Sequence, residues 1–192
     1  MNNAISRRTF LKCAGTAAVA VGAASMLGGC SLFDNIINAG TKEMPAITIN
    51  GITFSVTGAA TDYAKPTEGK QSVKALVPLV GILDNNQIVG AEPKTLDKSI
   101  FSLKIDGVDA EIKWGDDAQK IVNEVFAEDN EATVLDKNGK TKTGLTAVAL
   151  VFVPKQPIEK WSKAVLTINY SGRSQSFELT YQSAYETDVV KK

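Results

Sequence analysis

Residues 47–56 read Ile47-Thr48-Ile49-Asn50-Gly51-Ile52-Thr53-Phe54-Ser55-Val56. Apolar and polar residues alternate on both sides of Asn-Gly, a dipeptide suited to a two-residue turn whose central residues both take positive φ. Such a turn pairs Ile49 with Ile52 and Ile47 with Phe54, and all four side chains then face one side. The fold therefore opens on an antiparallel hairpin with one apolar face, and the remaining chain can be read for more of the same.

A second hairpin follows the same rule: Phe101-Ser102-Leu103-Lys104-Ile105, then Asp106-Gly107, then Val108-Asp109-Ala110-Glu111-Ile112. Ile105 meets Val108, Leu103 meets Ala110 and Phe101 meets Ile112. A third joins Leu166–Tyr170 to Phe177–Tyr181; a tight turn at Gly172-Arg173 places Ile168 opposite Phe177 and Leu166 opposite Leu179.

Val73 to Leu83 and Leu145 to Val153 are apolar on both parities. They predict central strands buried on both faces, or strands that switch neighbours. Pro78 interrupts the first and cannot donate to a ladder, so a bulge or an edge is expected there. A short strand is expected at Ala132–Leu135, before the turn Asp136-Lys137-Asn138-Gly139. One segment has helical spacing: Asp116-Asp117 start it, and Ile121, Val122, Val125 and Phe126 line one face through Ala127. A shorter helical turn is expected at Pro157–Lys163, with Trp161 inward. About eight strands with one helical insertion near 116–127 predict an all-β fold, a two-sheet antiparallel sandwich.

The N-terminus is of another kind. Ser6-Arg7-Arg8-Thr9-Phe10-Leu11-Lys12 resembles the bacterial twin-arginine export signal at every defined position. Residues 13–29 carry no charge, and only Val19, Val21, Met26 and Leu27 are sizeable apolar side chains. So weakly apolar a stretch inserts poorly into lipid, as suits a signal read by the twin-arginine translocase. Its 17 uncharged residues also stand at the lower limit for a membrane-spanning helix. Leu27-Gly28-Gly29-Cys30 resembles the lipobox of bacterial lipoproteins. The resemblance implies removal of residues 1–29 by lipoprotein-processing enzymes and a diacylglyceryl group, palmitate included, on Cys30. One acyl chain anchors marginally, whereas two anchor stably. Residues 30–45 then read as a tether, 46–183 as the sandwich and 184–192 as a polar tail that frays. The expected location is the extracytoplasmic face of the cell membrane.

Composition narrows the chemistry. The chain has 21 basic and 21 acidic residues; Arg7, Arg8 and Lys12 precede Cys30 and no acid does, which leaves 18 bases against 21 acids after cleavage. A mixed, mildly acidic surface has no basic field for nucleic acid. There is no histidine, and the two cysteines are Cys13 and Cys30. Cleavage and lipidation would leave no free thiol, disulfide or imidazole, so His- or Cys-based nucleophilic catalysis and His/Cys metal sites are excluded. No cofactor and no metal are expected. The acids Glu128-Asp129-Asn130-Glu131 read either as a solvated loop or as a loose Ca²⁺ site. Ala59 to Gly69, long and mixed, is the best candidate binding loop, through Asp62, Tyr63, Lys65 and Glu68. Tyr63, Tyr170, Tyr181, Tyr185, Trp114 and Trp161 read either as core or as a ligand surface.

The opening 47–57, the later Gly144 to Pro154 and the closing Phe177-Glu178-Leu179 resemble the immunoglobulin-like lipoprotein domains of unknown function in Gram-positive bacteria, whose sandwich is similar to that of a secreted mycobacterial antigen. The resemblance departs at the 116–127 insertion and carries no catalytic residues. It implies a fold and a place; the loops at the ends of a sandwich, with the usual catalytic groups missing, lead to the expectation of a non-catalytic, lipid-anchored module for an envelope protein, a peptide or a glycan. An escort subunit of an exported complex and a hydrolase built on two carboxylates are the alternatives.

Overall fold

The computed structural model describes residues 45–66, 70–84, 95–126, 134–135, 138–139, 145–184 and 186–192. The export signal, the lipobox with Cys30, Glu68, Tyr185, Ala127 and residues 128–131 lie outside them. The described strands are β1 (Ala46–Ile49), β2 (Ile52–Tyr63), β3 (Val73–Asp84), β4 (Phe101–Ile105), β5 (Val108–Lys113), β6 (Leu145–Ala149), β7 (Val151–Pro154), β8 (Lys163–Tyr170), β9 (Arg173–Ser183) and β10 (Glu186–Lys191), with one α-helix, α1 (Asp116–Phe126), after β5.

The all-β class with one helix is as expected. The strands, however, are hydrogen-bonded into one antiparallel sheet rather than two, in the order β1-β2-β3-β7-β5-β4-β8-β9-β10, with β6 beside β7 on β3. The sheet curls until its ends approach. Thr61 N–H donates to Ala184 C=O at 2.7 Å, and Ala59 N–H donates to Thr187 Oγ1 at 2.7 Å. The result is a nearly closed barrel. Curling brings opposite strands together inside it: the Phe54 ring lies edge-on to Phe101 at 6.3 Å and to Tyr170 at 5.6 Å.

All three hairpin turns have positive φ at both central residues: Asn50 and Gly51, Asp106 and Gly107, Ser171 and Gly172. That geometry follows the right-handed twist of the flanking strands. The first hairpin has the expected register, Ile49 with Ile52 and Ile47 with Phe54. In the second, Ile105 faces Val108 and Leu103 faces Ala110; the ladder ends there, and Ile112 pairs instead with Phe152 of β7. The third register is shifted. The turn is Ser171-Gly172, one residue earlier than expected, so Leu166 faces Phe177 and Ile168 faces Gln175. The shift amounts to two residues of pairing. Because side chains alternate with period two, Leu166, Ile168, Phe177 and Leu179 still point inward and all are fully buried.

The two-parity strands behave as read. In β3, Leu76, Val80 and Ile82 join the barrel interior, whereas Ala75, Val77 and Leu79 join a second cluster outside it. Val148, Leu150 and Phe152 face inward, and Ala149 and Val151 face out. The outer cluster exists because α1 lies over it with Ala118, Val122, Val125 and Phe126 buried. Asp116 and Asp117 lie inside the first turn, where acids suit the helix dipole. The start is held by Gly115, whose carbonyl accepts from Gln119 N–H at 2.9 Å.

Pro78 is not on an edge. It faces Ala59 of β2, and the bulge lies on that facing strand, between Val56 and Gly58. On its other side β3 changes partner from β6 to β7, and Leu150, between those strands, donates to Pro78 C=O at 2.9 Å. The missing proline N–H therefore falls where the ladder is already interrupted.

Four expectations need correction. Val134 and Leu135 are in no ladder; Leu135 C=O instead accepts from Gly115 N–H at 3.1 Å. Residues 157–163 form no helical turn, although Trp161 is buried as expected. The candidate binding loop is largely strand: Ala59 through Tyr63 belong to β2, where small residues are needed under α1 and beside β10. The tail 184–192 is mostly β10, paired with β9 so that Val189 faces Leu179. Thr187 and Val189 turn inward while Val190 is exposed, the alternation of an edge strand.

Candidate functional site

The end of the barrel where β2 finishes and β3 begins gathers the polar and aromatic residues of interest. Thr61, Asp62 and Tyr63 are consecutive in β2 and so alternate in direction. Thr61 is buried and accepts the Trp161 indole N–H at 3.0 Å. The Trp161 ring meets Tyr181 edge-on, 5.2 Å between centroids. Tyr63 and Tyr181 interact through their phenols. Burial pushes the Tyr63 phenol well above its ordinary value, and the interaction with Tyr181 adds to the rise. Tyr63 and Tyr181 are half-buried and pack against the interior cluster. Main-chain bonds tie the surroundings together: Ala64 N–H to Ser72 C=O at 2.9 Å and Val73 N–H to Ile158 C=O at 2.7 Å.

Asp62, on the other face, points toward α1. Its Oδ2 lies 3.2 Å from Lys74 Nζ, and Lys74 also bonds Glu124 of the helix. Burial raises the Asp62 carboxyl above the usual carboxylate range, against the pull of Lys74. The hydrogen bond to Glu124 raises Lys74 above the ordinary lysine value; partial burial opposes that rise and Asp62 adds to it. The exposed Lys74–Glu124 pair is worth about 0–1 kcal/mol. Each fully buried Val or Phe of α1 contributes about 1.5–3 kcal/mol. The helix is thus held by its apolar face, and Lys74 orients it.

Of the residues singled out in the sequence, Asp62 and Tyr63 are brought to this end but turned apart. Lys65 is exposed just beyond the strand. Nearby, Lys70 and Glu159 form an exposed pair at 3.6 Å. Tyr170 lies elsewhere, against Phe54. Trp114 is also remote: Lys98 Nζ sits 5.8 Å from its ring centroid. No cluster of three or more metal-ligating side chains occurs among the described residues.

Sequence reasoning missed two features. The Thr61–Trp161 bond joins residues 100 positions apart, and nothing local marks it. Asp106, read only as half of a turn, accepts Ser162 N–H at 2.9 Å, Ser162 Oγ–H at 2.9 Å and Lys163 N–H at 3.0 Å. Its own N–H donates to Lys163 C=O at 2.8 Å. It thereby ties the β4–β5 turn to the start of β8. An Asp at the first position of an Asp-Gly turn was the available signal.

No family model matches the chain, and no curated protein matches it. Among solved structures, the chain is similar to a Bacillus subtilis protein, ycdA, named as a candidate lipoprotein, with a TM-score of 0.41 and 12% identity over 72% of this chain and 39% of that one. The chain thus spans about two fifths of that protein's length.

Proposed function

We propose that this chain is a twin-arginine-exported lipoprotein whose barrel is a non-catalytic binding module on the outer face of the cytoplasmic membrane. Export and anchoring rest on the order and spacing of Ser6–Lys12, the uncharged 13–29 and the Leu27–Cys30 lipobox. The proposed kinship with immunoglobulin-like lipoprotein domains rests on the strand patterns of 47–57, 144–154 and 177–179. The partner class is an envelope protein, a peptide or a glycan.

One observation carries the binding reading: Tyr63 and Tyr181, half-exposed and interacting through their phenols, stand at the barrel end where the chain leaves β2 through the exposed Lys65. Phenol faces with a nearby cation suit a polar ligand that also offers a flat or apolar surface. The composition supports the non-catalytic part, since histidine is absent from the entire chain.

Two measurements test the reading. Labelled palmitate should enter the parent chain and not Cys30→Ser, and the variant should leave the membrane fraction. Equal fractionation of both would overturn the anchor. A ligand captured by the parent from envelope material should be lost with Tyr63→Ala and with Lys65→Ala, while both variants keep the parent's melting behaviour. Undiminished capture by both would remove this end of the barrel as the site.

A further inference from the structure

We propose that β10, together with the turn residue Ala184 before it, is a detachable strap over the outer edge of β2, opening locally while the rest of the sheet stays folded. The outer edge of β2 is divided between two segments. β1 covers Ile52 to Ser55 in a regular ladder, and Pro45 C=O accepts Val56 N–H at 3.0 Å. Past the bulge at Thr57, no ladder register joins that edge to another strand among the described residues. In its place Ala59 N–H donates to Thr187 Oγ1, and Thr61 N–H donates to Ala184 C=O, each at 2.7 Å.

These bonds differ in kind from those on the opposite edge. There β3 pairs with β2 from Ile52 to Tyr63. At the seam one acceptor is a side-chain hydroxyl, which a rotation about χ1 removes without moving the backbone. β10 also changes register against β9 between Glu186 and Thr187, beside that same hydroxyl. In this short strand with an irregular start, Val189 packs on the interior cluster while Val190 is 54% exposed, so a single large apolar side chain holds it from inside. When the strap lifts, the Ala59 and Thr61 amides become free donors on a strand edge. Such an edge is complementary to an extended peptide backbone.

Amide hydrogen exchange on the full chain tests this directly. The Ala59 and Thr61 amides should exchange about a hundredfold faster than those of Val80 and Ile82 in the central strand β3, and with little denaturant dependence, as for a local opening. Thr187→Ala should speed Ala59 by about a further tenfold, and Thr187→Ser should restore the parent rate. If all four amides exchange at one rate with one denaturant dependence, the seam opens only on global unfolding and the proposal fails. It fails equally if Thr187→Ala leaves Ala59 unchanged relative to Val80.

Discussion

Trp161 donates its indole N–H to the Thr61 hydroxyl, 3.0 Å away and 100 residues earlier in the chain. Both residues are buried, so the bond is also the means by which the indole is satisfied. The 155–162 connection is thereby fastened to β2 at the end of the barrel that carries Tyr63 and Tyr181. Thr61→Val keeps the shape and removes the acceptor. A buried donor left unpaired costs about 1–3 kcal/mol. The urea midpoint should fall accordingly for Thr61→Val, and Thr61→Ser should recover most of the loss. A Val variant as stable as the parent would mean that the indole finds another acceptor.

Asp106 should matter more than its exposure suggests. Its carboxylate accepts from Ser162 and Lys163 while its own backbone holds φ at 46°. Asp106→Ala loses the accepting oxygens and also places Ala in the left-handed region, and about 1–3 kcal/mol of lost stability is expected. Asp106→Asn retains an accepting oxygen and tolerates that φ, so it should fall between parent and Ala. Chemical denaturation of the three proteins orders them; equal stabilities would show the turn to be independent of β8.

How far such features could be read from the sequence depended on whether their cause was local. The Asn50-Gly51 and Asp106-Gly107 hairpins were legible because turn and alternation specify the same register. Ser171-Gly172 was read one residue late, since Ser is an uncommon residue at positive φ and Gly172-Arg173 looked equally tight. The facing of β8 and β9 survived because the error was a multiple of the period. β10 was hidden for a different reason: its sequence carries Glu186, Asp188, Lys191 and Lys192 and few apolar residues, which reads as tail. The stretch Ala59-Ala60 looked like loop because small residues have weak strand preference. Their size is explained by α1 and β10, which lie far away in sequence. The same distance effect hid the candidate site: Tyr63 was singled out, but its partner Tyr181 comes from the other end of the chain.

Alkaline pH should weaken the fold through Tyr63. Burial and the interaction with Tyr181 raise its pKa in the folded chain above the unfolded value of 10.0. A group with a raised folded pKa contributes its stability in full below the unfolded pKa and loses it as pH rises past that value. Thermal midpoints should therefore hold up to about pH 10 and decline above it. Tyr63→Phe should show a shallower decline, whatever its midpoint at neutral pH. Parallel curves for parent and variant would place the alkaline sensitivity elsewhere.

At Gly139 a single methyl group meets close contacts that Gly107 and Gly172 do not offer. The φ of Gly139 is +75°, and a Cβ there would lie 2.0 Å from Leu96 O and 2.5 Å from Cζ3 of Trp114. The first contact is with backbone that is itself committed, because Leu96 N–H donates to Gly139 C=O at 2.9 Å. The second is with a ring confined between that backbone and the interior cluster. Left-handed backbone strain and overpacking each cost about 1–3 kcal/mol, so Gly139→Ala should lose about 2–6 kcal/mol. Trp114→Leu would relieve the contact with the ring but leave both the φ and the Leu96 carbonyl. The double variant should therefore be more stable than the sum of the single losses predicts, while remaining well below the parent. Denaturant midpoints for the four proteins of this cycle measure the coupling. Strict additivity would show that the cost of the methyl group falls on the backbone alone.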